Sequence, residues 1–286
     1  MAAPDTIATG LILTSALLHA SWNAGVKKAP DKFAAMVFIS GIGGLLFLPF
    51  APLVPLPTPE LWGWIAASLC IHLFYQRILS LALEAGDLTF TYPVARGTGP
   101  MLVAVFSYFF LKGEMSLSEL GAVGVLVGGI FATAGASRKL TADHAQFRTA
   151  LLYAVLSGCL IASYTVVDGL AVRRAENPFT YVVWSGLAFV PVLTGYARIR
   201  HGRAIFTRSL AWWKIGLPLS IIAQGGYGIA LYAYSLGALG EIAALRETSI
   251  IFASLIGFFW LKEAFSRRKT VAVLMIALGA VLLKSV

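Results

Sequence analysis

ARGTGPMLVAVFSYFFLKGEMS at residues 95–116 aligns without a gap with LRETSIIFASLIGFFWLKEAFS at residues 245–266. A weaker similarity near the start of each half pairs the segment 27–33 with the segment 173–179. Self-similarity over such a long period indicates the architecture directly, so the sequence predicts one structural unit present twice. The identical pairs are Arg96 and Arg246, Thr98 and Thr248, Phe109 and Phe259, Leu111 and Leu261, Lys112 and Lys262, and Ser116 and Ser266.

The composition indicates that the chain lies in a lipid bilayer. Hydrophobic residues make up 58% of its 286 residues and charged residues 12%, against roughly 25% charged residues in an average soluble domain. Each crossing of a bilayer needs about 20 apolar residues of helix, and apolar stretches of that kind recur along the whole chain. The ten predicted spans are residues 6–26, 33–54, 61–83, 89–111, 118–136, 148–170, 179–197, 213–236, 242–261 and 269–285.

The net charge of +9 comes mainly from Lys and Arg in the short loops between the predicted spans. This distribution indicates membrane topology, and no nucleic-acid partner is expected. The basic residues are concentrated in the odd-numbered loops, counted from the first. Because such residues stay on the cytoplasmic side, the charge pattern predicts that both termini face outward.

An odd number of spans in each unit has a topological consequence. Residues 1–140 and 146–286 each hold five predicted spans, so the second unit enters the membrane from the opposite side. Inverted repeats are typical of carriers that work by alternating access, with a substrate site near the membrane midplane between the repeats. The predicted fold is therefore an all-α integral membrane protein, with ten transmembrane helices in two inverted five-helix repeats around a central cavity.

Three motifs carry a resemblance to a known family: HASWNAGVKKA at 19–29, LALEAGDLTFTYPVARGTGPMLVAVFSYFFLKGE at 81–114 and LGALGEIAALRETSIIFASLIGFFWLKEAFS at 236–266. With these motifs the chain resembles, over its whole length, the EamA-type carriers of the drug/metabolite transporter superfamily. The resemblance implies a basket of helices around a central cavity, with the fifth and tenth spans peripheral. It also implies cytoplasmic termini, in conflict with the charge pattern. Members include bacterial exporters of amino acids, notably aromatic ones, and of toxic organic compounds, as well as organellar carriers of nucleotide sugars and sugar phosphates.

Polar side chains inside a span are costly, so they usually face a cavity or one another. On the first span His19, Trp22 and Asn23 share one helical face, because residues three and four apart are neighbours on a helix. One interpretation of this face is a cavity wall. The other is a helix contact, in which His19 or Asn23 forms an interhelical hydrogen bond and Trp22 anchors the span at the membrane interface.

The third and eighth spans carry similar polar and aromatic stripes. The stripe on the third span consists of Ser68, His72, Tyr75 and Gln76. The eighth span is its partner in the second repeat and carries Gln224 and Tyr227 among glycines, which allow helices to approach closely. Both stripes are predicted to line the cavity and to face each other.

The fourth and ninth spans each carry an arginine. Tyr92 and Arg96 are separated by one helical turn, among prolines and glycines that bend or loosen a helix. Arg96 is expected to bind a substrate carboxylate or to form a salt bridge that breaks when a gate opens. Its counterpart Arg246 precedes Glu247, and inverted repeats place the two arginines toward opposite membrane faces. The alternative is that both arginines extend to the lipid headgroups.

The sixth and seventh spans add three polar or aromatic residues. Tyr164 and Asp168 share a face of the sixth span, and Trp184 lies early in the seventh. Tyr164 and Trp184 are predicted to line the cavity. The favoured interpretation of Asp168 is a solvated residue at the membrane edge, with a functional role as the alternative.

Catalytic and cofactor chemistry is not expected. The sequence has no Gly-rich phosphate loop with lysine, which argues against ATP hydrolysis, and Cys and His show no metal-binding spacing. The candidate residues suit zwitterionic amino acids better than cations, because hardly any acid lies deep in a span.

The predicted function is a secondary transporter that moves small metabolites, above all amino acids including aromatic ones, out of the cell across the inner (plasma) membrane. The first alternative is an exporter of cationic drugs, with Glu247 as the only good deep carboxylate. A channel and an integral membrane enzyme acting on lipid are further alternatives. The expected partners are a small-molecule substrate and membrane lipid, and a monomer is compatible with the sequence.

Overall fold

The computed structural model describes residues 4–27, 29–86, 88–134, 144–260 and 267–286. Within these ranges the regular secondary structure is helical, and a helix lies over the described part of every predicted span. The all-α class is therefore confirmed. The predicted boundary between the repeats, after residue 140, lies outside the described residues. The same holds for the ends of the fifth and ninth predicted spans and for Lys28, Leu261, Lys262 and Ser266 of the sequence repeats.

The helices begin and end within a few residues of the predicted spans. They are α1 (Pro4–Lys27), α2 (Lys32–Met36), α3 (Pro59–Ala85), α4 (Leu88–Phe110), α5 (Leu117–Ala132), α6 (His144–Arg174), α7 (Pro178–His201), α8 (Ala204–Ala211), α9 (Trp213–Leu236), α10 (Leu239–Arg246), α11 (Ser249–Phe259) and α12 (Arg267–Ser285). Helix α2 continues into a π-helical turn at Val37–Gly41 and a 3₁₀ helix at Ile42–Leu53. Two features differ from the prediction: the short helix α8, and the division of the ninth span into α10 and α11.

Five helical segments among the described residues are long and apolar enough to cross a membrane by length and composition: Lys32–Leu53, His144–Arg174, Pro178–His201, Trp213–Leu236 and Leu239–Phe259. Two shorter apolar helices, Leu117–Ala132 and Thr270–Ser285, accompany them. The other long helices, α1, α3 and α4, carry many of the polar residues discussed above, which lower their hydropathy. The count of ten spans and their inverted arrangement stay predictions.

The chain forms two compact units, each built from segments of both sequence halves. Unit 1 comprises Met1–Leu69 and Asp168–Leu236, and unit 2 comprises Cys70–Val167 and Gly237–Val286. Helices α3 and α6 contribute to both units, because the unit boundaries fall inside them. The division of the chain into repeats at 1–140 and 146–286 stays a prediction from the sequence.

In unit 1, helix α1 packs along α9. The Ser15 hydroxyl donates a 2.6 Å hydrogen bond to the carbonyl oxygen of Gly226. A Cβ atom at Gly226 would lie 3.1 Å from the Leu18 side chain, so the absence of a side chain permits this close contact. The polar group of Ser15 is thereby satisfied inside the helix pair, as buried hydroxyls generally are.

In unit 2, helix α5 packs against α12 through glycines. A Cβ atom at Gly279 would lie 2.5 Å from the backbone nitrogen of Leu126, and one at Gly129 would lie 2.8 Å from that of Ile276. Small residues at such contacts are the usual means by which helices associate in lipid. The α5–α12 contact therefore depends on the backbone approach that glycine allows.

Large apolar side chains are exposed along several helices, among them Phe109 on α4, Phe259 on α11 and Leu274 on α12. Exposed apolar surface of this kind favours aggregation in water, whereas lipid solvates it. The helical backbone satisfies its own hydrogen bonds, as a bilayer requires. Both features, together with the composition, indicate a multi-pass membrane protein.

Candidate functional site

A buried ion pair lies in unit 2. Arg96 Nη2 lies 2.9 Å from Glu247 Oε2, and the two side chains are 9% and 4% exposed. The same nitrogen also donates to the Ser249 hydroxyl at 3.3 Å. Ionisable residues inside spans are expensive to insert and usually mark a substrate or ion pathway. The pair is therefore a candidate functional site.

The polar atoms of this pair are incompletely satisfied. Among the described residues, Arg96 Nε has no hydrogen-bond partner, and the ion-pair contact at Glu247 Oε2 lacks the alignment of a hydrogen bond. Most buried polar atoms in proteins are paired, so such exceptions require an explanation. Here they leave donor and acceptor capacity at the ion pair that a polar ligand group can use.

Glu247 lies at a break in the helical backbone between α10 and α11. The Thr248 N–H donates to the Leu245 carbonyl and the Ile251 N–H to the Thr248 carbonyl, which is the tighter i to i+3 pattern of a 3₁₀ turn. The predicted span at 242–261 matches the apolar segment Leu239–Phe259, and this 3₁₀ turn divides the segment into two helices. Broken helices in carriers are typical of substrate sites, and the polar run Arg-Glu-Thr-Ser at 246–249 was the signal for the break.

Aromatic side chains from three helices lie beside the ion pair. The rings of His72 and Tyr164 stack at a centroid distance of 4.2 Å, and Tyr75 meets Tyr164 edge to face at 5.7 Å. The Arg96 guanidinium carbon lies 6.0 Å from the centre of the Tyr92 ring. Tyr75, Tyr92 and Tyr164 are all close enough to Arg96 to interact with it electrostatically. We call this group the Arg96 cluster: His72, Tyr75, Tyr92, Arg96, Tyr164 and Glu247.

All members of the Arg96 cluster are residues that the sequence analysis selected. Arg96 contacts Glu247, the residue directly after Arg246, and the placement of the two arginines toward opposite membrane faces stays a prediction. Extension of Arg96 to the headgroups is excluded, because its side chain is buried and paired.

A second buried acid lies in unit 1. Asp168 is 1% exposed. Its Oδ1 accepts hydrogen bonds from the hydroxyls of Ser68 at 2.5 Å and Tyr181 at 2.7 Å, and its Oδ2 accepts one from Tyr227 at 2.9 Å. The favoured interpretation of Asp168 as a solvated end residue is wrong, because α6 continues to Arg174 and keeps Asp168 inside the helix. We call these four residues the Asp168 cluster.

A functional role of Asp168 was therefore only the less favoured interpretation of the sequence, and Tyr181 was not predicted as a site residue. The available signal was the apolar run Gly-Leu-Ala-Val that follows Asp168 before the first arginine, since a solvated end residue is not expected before another turn of apolar helix. Tyr181 offered no such signal. Its hydroxyl reaches Asp168 from the next helix, α7.

On α1, the predicted face is engaged in contacts of its own. The ring of His19 meets Trp22 edge to face at 5.4 Å. The Asn23 amide donates to the His19 carbonyl of the same helix at 2.8 Å, not to a neighbouring helix. Trp22 packs against an apolar core that includes Val26 and Ile39. These contacts favour a structural role for Trp22 and Asn23, and a cavity role for this face stays a prediction.

Two further candidates form hydrogen bonds to backbone carbonyls. The Gln224 amide donates to the carbonyl oxygen of Ile39 at 3.0 Å, inside the π-helical turn. The Trp184 indole donates to the Pro55 carbonyl at 3.0 Å, and its ring meets Trp62 edge to face. Both side chains satisfy irregular backbone, which otherwise carries a cost inside a membrane.

Gln76 and Arg246 are both half-buried, and Arg246 interacts electrostatically with Glu247. Within the described ranges no group of three or more His, Cys, Asp or Glu residues is placed to hold a metal ion. Cys70 and Cys159 are free thiols. The chemistry that these arrangements support is the binding of charged groups and of protons.

The comparisons with known proteins find a family match in the second half of the chain. Residues 148–285 match the EamA-like transporter family. One solved structure, titled only "Crystal structure of protein", shares the fold with a TM-score of 0.71 and 17% sequence identity, over 99% of this chain and 97% of the other. No curated protein matches the sequence. Residues 148–285 form an EamA-like transporter segment, which with the apolar helices indicates a membrane transporter of the drug/metabolite type.

Proposed function

We propose that the protein is a secondary transporter that moves amino acids, aromatic ones included, and related small metabolites out of the cell across the inner (plasma) membrane by alternating access. The observation that carries the proposal is the buried Arg96–Glu247 ion pair with aromatic side chains beside it. The family match supports transport. Export and the membrane in question follow from the resemblance described above.

The ion pair suits a ligand with both charges. A substrate carboxylate can take the place of Glu247 on the Arg96 guanidinium, which binds carboxylates well through its planar set of donors. A substrate ammonium can take the place of Arg96 on the Glu247 carboxylate. Because the two exchanges occur together, a zwitterion leaves the buried site with no net charge.

Ligands with one charge are disfavoured by the same reasoning. A monocation that binds Glu247 leaves Arg96 buried without its partner. A monoanion that binds Arg96 leaves Glu247 buried without its partner. An uncompensated buried charge costs several kcal/mol. The rings of the Arg96 cluster add favourable stacking with an aromatic side chain and cation–π attraction to an ammonium.

Alternating access supplies a role for the ion pair between transport events. Without substrate, the pair holds α4 to the break between α10 and α11. Substrate binding replaces this contact with two contacts to the ligand and so frees the helices to move. This step requires that the Arg96–Glu247 interaction be weaker with substrate bound than without it. A ligand changes a conformational equilibrium only through such a difference in interaction energy between the two states.

The export of cationic compounds is the second candidate function. It is favoured by Asp168, a buried carboxylate bonded to three hydroxyls and in no ion pair among the described residues. The sequence argument against cations relied on a lack of deep acids, and Asp168 weakens that argument.

Thermal unfolding of the purified protein with four probes tests the proposal. The probes are L-phenylalanine, phenethylamine (no carboxylate), 3-phenylpropionate (no ammonium) and the cationic dye ethidium. A ligand that prefers the folded state raises the melting temperature. We expect a rise with L-phenylalanine and little effect with the two analogues, which each carry one charge.

Two variants locate the binding. Arg96→Lys keeps the charge but loses the planar donors, so we expect it to abolish the effect of L-phenylalanine. Arg208→Gln removes the cation of an exposed pair with Asp31 and is the matched control, in which the effect persists. A response to ethidium and phenethylamine alone favours the cation exporter, and the absence of a response to L-phenylalanine refutes the proposal.

A further inference from the structure

We propose that Asp168 is a proton-binding site, at which a carboxylate accepts one proton in one stage of the transport cycle and releases it in another. The inference rests on the proposed function, because it supplies the coupling ion for that carrier. It concerns the Asp168 cluster in unit 1, which has no role in the proposed binding of zwitterions.

The first argument is the balance of charge at Asp168. The side chain is buried, and its described partners are three neutral hydroxyls, with no ion pair to Lys or Arg. A carboxylate that is buried without a counter-charge is costly, and at Asp168 hydrogen bonds alone offset that cost. Intramembrane acids in transporters commonly act as proton relays for this reason.

The second argument is the chemical nature of the three partners. The hydroxyls of Ser68, Tyr181 and Tyr227 can each donate or accept a hydrogen bond. They donate to the carboxylate when Asp168 is charged. When Asp168 carries a proton, one hydroxyl rotates and accepts a hydrogen bond from the carboxyl O–H. Arginine, lysine and backbone N–H groups only donate, so a site built from them would satisfy the charged form alone.

Among the described residues, no Lys or Arg side chain forms an ion pair with Asp168. The titratable groups that face it from neighbouring helices are Tyr181 on α7 and Tyr227 on α9, while Ser68 on α3 does not titrate. On its own helix the next cation is Arg173, whose Nε donates to the carbonyl oxygen of Tyr234 at 2.7 Å. Proton uptake thus changes the local charge and the donor pattern together.

The position of the cluster in the chain connects proton binding to the helices. Ser68 is next to the last residue that α3 contributes to unit 1, and Asp168 is the first residue that α6 contributes to it. Their hydrogen bond therefore joins the end of the α3 segment of unit 1 to the start of its α6 segment. Gain or loss of a proton at Asp168 rearranges hydrogen bonds from α3, α7 and α9 at once.

Infrared difference spectra between high and low pH test the inference on the full-length protein without a substrate. We expect a carbonyl stretching band of a protonated carboxyl group that is lost in Asp168→Asn. Asp31→Asn, the same change at a partly exposed acid on the surface, is the matched control and keeps the band. Tyr227→Phe shifts its frequency, because one hydrogen bond to the carboxyl group is removed. If Asp168→Asn does not fold, the shift in Tyr227→Phe still decides the assignment.

Proteoliposomes test the coupling. We expect an imposed pH difference to drive accumulation of L-phenylalanine in the wild type and in Asp31→Asn, and to have no effect on its level in Asp168→Asn. The inference is overturned if Asp168→Asn retains the pH-dependent band. It is also overturned if the pH difference drives accumulation equally in Asp168→Asn and the wild type, or if the wild type exchanges L-phenylalanine but does not respond to the pH difference. If the wild type moves no amino acid, the proposed substrate fails, whereas the infrared result still decides the proton site.

Discussion

The strongest prediction concerns the energy that couples Arg96 to Glu247. Both side chains are less than one tenth exposed and lie 2.9 Å apart, so solvent screens their interaction weakly. Removal of one partner of a buried pair costs about 3 to 5 kcal/mol, because the other charge remains buried. The structure favours the lower end for Glu247→Gln, since the Ser249 hydroxyl still accepts from Arg96. It favours the lower end for Arg96→Gln as well, since Arg246 interacts with Glu247.

The double variant separates the ion pair from other effects. Arg96→Gln with Glu247→Gln leaves two neutral amides in place of the pair, so we expect its cost to be no larger than that of either single change. If the two single variants and the double variant each cost about 3 kcal/mol, the coupling energy between Arg96 and Glu247 is about 3 kcal/mol. This value is at the upper end of those measured for contacting residues. The free energies are measured by unfolding in mixed micelles of a mild detergent and dodecyl sulfate, followed by circular dichroism.

The pair Asp31–Arg208 is the matched control for this cycle. Its oxygen and nitrogen are 2.7 Å apart, but the arginine and aspartate side chains are 51% and 33% exposed. Solvent screening limits such pairs to about 1 kcal/mol or less, so Asp31→Asn with Arg208→Gln should show nearly additive costs. Additive costs at Arg96 and Glu247 as well would refute the assignment of a buried ion pair.

Three further predictions concern stability in the same unfolding assay. Ser68→Ala removes a donor to buried Asp168 and should cost about 1 to 3 kcal/mol, whereas Ser21→Ala, which loses only a bond to its own helix, should be nearly neutral. Gly279→Ala places a Cβ against the Leu126 backbone and should cost about 1 to 3 kcal/mol. Gly121→Ala, which meets open space, should not destabilise the protein. Equal effects of the two changes would contradict the close packing of α5 against α12. Ser116→Ala removes the hydroxyl of the capping box of α5 and should cost about 1 kcal/mol; no loss would mean that this end of the helix is frayed in lipid.

The location of the helices was readable from the sequence because hydropathy is a local property. An apolar stretch of sufficient length has to form its own backbone hydrogen bonds in a bilayer, and a helix is the way in which a single segment does so. The predicted stretches at 213–236 and 33–54 accordingly lie close to the observed helices. The 3₁₀ turn between α10 and α11 is the exception, since hydropathy does not distinguish it from continuous α-helix.

The candidate site was readable only in part. Helical spacing placed His72 and Tyr75 on one face and selected Arg96 as a buried group, and the structure places these three residues in one cluster with Glu247. The same reasoning also selected Gln224 and Trp184, whose side chains bind backbone carbonyls. A polar residue inside a span has to find some partner, and spacing along one helix does not reveal which.

The sequence by itself determined that this chain is a helical membrane transporter, because composition, apolar length and the EamA-like segment are properties of consecutive residues. Tertiary structure alone decided that Arg96 meets Glu247 and that Asp168 meets Ser68, Tyr181 and Tyr227. These contacts join residues that are far apart in the chain and depend on how whole helices pack. The energy of a charge in a membrane depends on its nearest partners, so the functional meaning of each acid emerged only with the fold.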